Sequence, residues 1–141
     1  MTAPRAASLL RFVLRLEGTV ALLSLIGVVM PYAAMDATHQ WLGLGRLPSE
    51  PIVGYLARSL SAFYAALGAF FWFLSFDVHR HRPTLRFGGI VIVVFGATLI
   101  VIDWVEGLPA FWRLWEGPWV IVIGGVIAWL ASRVEDAPQP R

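Results

Sequence analysis

Polar side chains are scarce in this sequence, and six of them are candidates for chemistry. Asp36 and His39 lie three apart in residues 31–51, which read PYAAMDATHQWLGLGRLPSEP. A short helix there would set both on one face. Trp41 and Leu42 would anchor that helix at an interface, and Pro48 and Pro51 would stiffen the return. Such a carboxylate and imidazole suit a small ligand site or a lid; the plainer alternative is a surface loop held down by Trp41.

Arg58 and Asp103 each stand at the edge of a long uncharged stretch. At that depth a charge costs free energy unless it is hydrated or paired, and a two-pronged arginine–carboxylate bond would lower the cost. Glu106, one turn beyond Asp103, and Asp36 compete for the same arginine. Either Arg58 and Asp103 pair for structure, or they line a ligand or ion site between helices. Glu17 is the acidic residue next to the first apolar stretch and the candidate for ion coupling.

Other chemistry is argued away. Asp77, His79 and His81 in DVHRHRP are too few and too close to Arg80 and Arg82 to hold a cation, so no metal site is expected; the loop reads as a basic surface against anionic headgroups. All three histidines lie outside the apolar stretches, which excludes a bis-histidine haem inside them. There is no H-E-x-x-H zinc helix, no phosphate-cradling G-x-x-x-x-G-K-[ST] and no G-x-S-x-G elbow. Cysteine is absent, which removes disulfides, thiolate metal sites and covalent haem attachment. No cofactor is implied.

The elements that must position these residues are four apolar stretches, residues 18–35, 59–76, 87–102 and 117–132. At about 1.5 Å of rise per residue, each covers most of a hydrocarbon core roughly 30 Å thick. Hydrophobic residues make up 58% of the chain and charged residues only 14%, with a mean hydropathy of +0.71. A soluble domain this small could not cover so much apolar surface. Strands are excluded, since there is no two-residue alternation and a membrane barrel needs at least eight. The expected fold is therefore all-α: a transmembrane four-helix bundle over residues 1–134, with a long outer loop between the first two helices and a short cytoplasmic tail at 135–141. The first stretch is read as a retained helix whose early Arg11 and Arg15 reach back to the interface.

Orientation follows from arginine, the only basic residue type besides histidine. Arg5, Arg11, Arg15, Arg80, Arg82, Arg86, Arg133 and Arg141 fall on one side, against Arg46, Arg58 and Arg113 on the other. Positive flanks stay inside, so both termini are expected in the cytoplasm; the absence of lysine suggests a GC-rich bacterial genome, and the expected location is a bacterial cytoplasmic (inner) membrane crossed several times. Trp41, Trp104, Trp112, Trp115 and Trp119 would mark the outer interface, and Trp72 and Trp129 the inner one. The pI near 9.7 reflects this charge placement, and no nucleic acid is expected as a partner. Ala57, Ser61, Ala65 and Ala69 repeat every four residues; Gly89, Gly96, Gly124, Gly125 and Ala128 offer further small surfaces for close helix packing. The same surfaces would serve a homo-oligomer or a membrane partner protein.

Two resemblances accompany this reading. LEGTVALLSL around Glu17, and IVIGGVIAWL in the fourth stretch, are loosely similar to helices of small multidrug-resistance transporters, whose first-helix glutamate couples to protons. The long first loop and the one-sided arginines depart from that family. The stretch HQWLGLGRLPSEPIVGYLARSLSAFYA, residues 39–65, resembles small bacterial four-helix integral membrane proteins of unassigned function. Its matching features are a W-L-G-x-G-x-L-P loop and a Y-L-A-R-S helix start. That resemblance implies the four-helix layout and no activity. Three functions are thus expected in order: binding of a lipid-like ligand or membrane partner at the outer face, an ion-coupled transporter using Glu17 or the Arg58/Asp103 region, and a membrane enzyme subunit acting on an amphiphile.

Overall fold

The structure, a computed structural model, describes residues 1–134; the tail expected at 135–141 lies outside the described residues. Those residues form helices α1 (Ala3–Leu22), α2 (Leu25–Val29), α3 (Tyr32–Trp41), α4 (Pro51–Phe76), α5 (Arg82–Val105) and α6 (Ala110–Arg133). No strand occurs among them. Ala3–Val29, Pro51–Phe76, Arg82–Val105 and Ala110–Arg133 are each long and apolar enough to cross a membrane. Large apolar side chains point outward along all four, Val29, Phe63, Phe87 and Val105 among them. In water such continuous apolar surface would be a liability; in lipid it is the outer coat that helices need.

The first span begins earlier than the apolar stretch suggests. Helix starts at Ala3, so Arg11, Arg15 and Glu17 all lie within α1 rather than ahead of it. Its early turns are amphipathic: Ala6, Ala7, Leu10 and Leu14 are buried on one face, while Arg5 and Phe12 are exposed. A bend at Leu23 and Ser24 separates α1 from α2, and Pro31, fixed in an extended conformation, starts α3.

The chain divides into two compact units. In the unit of residues 16–72, the end of α1 and α2 pack on α4 through small residues. A Cβ on Gly68 would lie 2.6 Å from the Gly18 carbonyl oxygen, and one on Gly27 would lie 2.5 Å from Ser61 Oγ. Ser24 Oγ donates to the Ser61 carbonyl at 2.7 Å, and Trp72 Nε1 donates to Thr19 Oγ1 at 3.2 Å. The contact ridge on α4 therefore runs Ser61, Ala65, Gly68, Trp72, and Ala69 is exposed. A strict four-residue repeat drifts around a helix of 3.6 residues per turn, so steps of four and three hold one face and steps of four alone do not.

In the unit of residues 1–15 and 73–134, α5 and α6 form an antiparallel hairpin around two glycine pairs. A Cβ on Gly124 would lie 2.7 Å from the Gly89 carbonyl oxygen, and one on Gly96 would lie 2.8 Å from that of Gly117. Backbones this close leave no room for a side chain. Gly125 faces open space, so only the first of that adjacent pair is structural. The large buried side chains of this unit, Leu10, Leu14, Leu74, Val78, Leu85, Ile127, Leu130 and Val134, come from the start of α1, the end of α4, the turn before α5 and its first residues, and the end of α6 with the residue after it.

Candidate functional site

The turn joining α5 to α6 is closed by Gly107, which takes φ of +68°. Gly107 N donates to the Trp104 carbonyl at 3.3 Å and Leu108 N to that of Asp103 at 3.1 Å. This pair of hydrogen bonds ends α5 on a left-handed residue, and Pro109 then opens α6. The turn brings the last residues of α5, Asp103 and Trp104, beside the first turns of α6.

Asp103 is 2% exposed, and its Oδ2 is buried with no hydrogen-bond partner among the described residues. Arg58, in the unit of residues 16–72, gives its guanidinium to backbone: Nε donates to the Val28 carbonyl at 3.2 Å and Nη2 to that of Met30 at 3.1 Å. Those carbonyls end α2, where orphan acceptors and the negative end of the helix dipole both attract a cation.

The first turns of α6 carry charged and aromatic groups that were not among the site candidates read from the sequence. Glu116 on α6 feels the charge of Asp103, and its Oε2 accepts from Trp112 Nε1 at 2.6 Å. The Arg113 guanidinium lies 4.4 Å from the centroid of the Trp104 ring, a cation–π contact, and Arg113 Nε is buried without a hydrogen-bond partner among the described residues. Trp115 and Trp119 stack with centroids 5.4 Å apart. Phe111, Trp112, Trp115, Glu116 and Trp119, with Val120, line a groove of about 310 Å³. Glu106 caps α5 and is exposed. Glu116 and Arg113 could have been found by projecting the fourth stretch onto the helix that precedes it, because α6 begins seven residues before the uncharged window opens.

Asp36 and His39 do share one face of α3, as their spacing predicts, together with Tyr32. All three hold the following segment: Tyr32 Oη donates to the Leu47 carbonyl at 2.5 Å, Asp36 Oδ1 accepts from Leu47 N at 2.7 Å, and His39 Nδ1 lies 2.9 Å from the Gly45 carbonyl oxygen. Asp36 Oδ2 accepts from Gln40 Nε2 at 2.9 Å. Burial and the charges of Asp36 and Glu50 push the Tyr32 phenol above its ordinary pKa. The W-L-G-x-G-x-L-P string is the segment being held. Gly43, at φ of +74°, ends α3 with the same paired bonds as Gly107: Gly43 N to the Gln40 carbonyl and Leu44 N to that of His39.

Glu17 is half-buried on α1, beside the Gly18–Gly68 contact, and no hydrogen bond reaches its carboxylate among the described residues. Asp77 accepts the Arg80 N–H at 3.0 Å; that backbone bond, then the nearby imidazoles of His79 and His81, hold its carboxyl below the usual range. Among the described residues no cluster of three or more His, Asp or Glu could hold a metal ion. Comparison with known proteins finds no matching family model, no matching curated protein and no matching solved structure.

Proposed function

We propose that this chain is a multi-pass protein of a bacterial cytoplasmic membrane, both termini inside, that binds a lipid-like molecule at the outer end of the α5–α6 hairpin. It joins the small bacterial four-helix membrane proteins that residues 39–65 resemble. The observation that carries the reading is Asp103: a carboxylate at the end of a membrane-length helix, buried, with Oδ2 unpartnered. An unsatisfied carboxylate oxygen in such a place costs several kcal/mol by order of magnitude, and a ligand that brings a hydrogen-bond donor removes that cost. Arg113 Nε on α6, buried without a hydrogen-bond partner among the described residues, offers a donor to such a molecule, and the Trp112–Trp115–Trp119 groove would take an apolar chain. Rings of tryptophan at interface depth suit such a molecule.

The test is Asp103→Asn in the full chain, purified in mild detergent. The expected result is normal accumulation and monodispersity with loss of the co-purifying amphiphile seen by mass spectrometry on the native protein. If the native protein carries no amphiphile, or the variant carries as much of it, the reading fails.

A second reading is supported by Glu17, which lies about 21 Å along α1 from Ala3 at the usual helical rise and has no hydrogen-bond partner among the described residues. An intramembrane carboxylate left unpaired is the feature an ion-coupled carrier needs. Proton flux into proteoliposomes that Glu17→Gln abolishes would establish it; equal flux with and without protein would remove it.

A further inference from the structure

The opposite end of the same hairpin carries a second concave feature, of about 440 Å³, lined by Arg82, Pro83, Arg86, Phe87 and Ile90. Its geometry follows from helix periodicity. Arg82, Arg86 and Ile90 form one ridge at four-residue steps, Pro83 and Phe87 form the neighbouring ridge, and the groove lies between them. Along that groove the chemistry changes in one direction: two guanidinium groups at the start of α5, then only apolar surface as the helix continues into its membrane-length span. The positive end of the α5 dipole adds to the charged end. Arg82 is positioned by its Nε, which donates to the Ala131 carbonyl at 3.2 Å, while Arg86 and Phe87 are exposed.

We propose that this groove is a binding site for one anionic phospholipid, its phosphate against Arg82 and Arg86 and an acyl chain laid along Phe87 and Ile90. Charge complementarity and the head-to-tail order of the lining select the occupant. A zwitterionic lipid gains less from two arginines, and a soluble phosphate gains nothing from the apolar half. The site rests on the membrane-spanning reading and is independent of the ligand at Asp103.

The full-length protein in neutral detergent is titrated with phosphatidylglycerol and with phosphatidylcholine of identical acyl chains, and bound lipid is counted by native mass spectrometry. Phosphatidylglycerol is expected to bind at least several-fold more tightly. Arg86→Gln is expected to weaken it about fivefold, the effect of one arginine near an anionic surface, and to leave phosphatidylcholine unchanged; Arg86→Lys is expected to keep most of the preference. Equal binding of the two lipids by the native protein would overturn the proposal, as would an unaltered preference in monodisperse Arg86→Gln. Displacement of phosphatidylglycerol by millimolar inorganic phosphate would also overturn it, assigning the arginines to a soluble anion. None of these results bears on the amphiphile test at Asp103.

Discussion

Asp103 and Tyr32 illustrate opposite uses of a polar atom in an apolar chain. Tyr32 spends its hydroxyl on the Leu47 carbonyl, whereas Asp103 keeps a buried oxygen unsatisfied. A group that destabilises the empty protein should reward its removal. Delipidated Asp103→Asn is therefore expected to melt higher than delipidated native protein, by the equivalent of about 1–3 kcal/mol, while losing its ligand; thermal unfolding followed by tryptophan fluorescence measures it. For Tyr32 the sign runs the other way. A phenol whose folded pKa is raised above its ordinary value of 10.0 contributes stability that is complete below that value. The contribution is lost as pH rises through the folded pKa, because the phenolate can no longer donate to Leu47. Protection of residues 42–47 from hydrogen exchange, taken relative to the base-catalysed intrinsic rate, is expected to fall above about pH 10 in the native protein, and Tyr32→Phe, already lacking the donor, is expected to show no such step. The pairing of Asp36 with His39 on one helix face was legible in their spacing. What they bond was not, because the accepting and donating backbone groups belong to a loop whose path no periodicity describes.

Helices in lipid cannot rely on apolar burial to find one another, so contact depends on how closely backbones approach. In the α5–α6 hairpin the approach is set by Gly89 with Gly124 and Gly96 with Gly117. Gly96→Val is expected to force the helices apart, costing about 1–3 kcal/mol as overpacking does, and to lower the yield of monodisperse protein. Gly125→Ala and Gly88→Ala, which face open space, are expected to be neutral or slightly stabilising; size-exclusion profiles and melting temperatures of the three variants decide it. At the capping turns, Gly43→Ala places a Cβ at φ of +74° and is expected to cost about 1–2 kcal/mol without touching any contact, readable as increased proteolysis near residue 43. Small residues were visible in the sequence as a class. Which of them touch a neighbour was not, since Gly124 and Gly125 are identical in composition and differ only in the side of α6 they occupy.

For the molecule as a whole, arginine placement is the expected determinant of orientation. Reporter tags on the two termini should both read cytoplasmic, and replacing Arg80, Arg82 and Arg86 by Ser should send a measurable fraction of molecules in the inverted orientation. Tags in opposite compartments would refute the even number of crossings. Tryptophan gives a second scale for the same frame: from Trp112 to Trp129, α6 rises about 26 Å, close to the thickness that separates two interfaces. The Arg133 guanidinium lies 5.5 Å from the Trp129 ring centroid at the basic end.

The number and the approximate positions of the four membrane-length helices were determined by the sequence alone, because apolar length and the absence of charge are properties of contiguous residues and need no neighbour. The true start of α1 at Ala3 escaped it: the early turns are amphipathic, and an apolar window dilutes a one-sided face with the arginines opposite. Only tertiary structure decided the partners of the charges. Arg58 serves two carbonyls that end α2 at Val28 and Met30, and Asp103 lies within electrostatic reach of Glu116. Hydrogen bonds and ion contacts are fixed by distances of a few ångströms between residues far apart in the chain, and hydropathy carries no information on that scale.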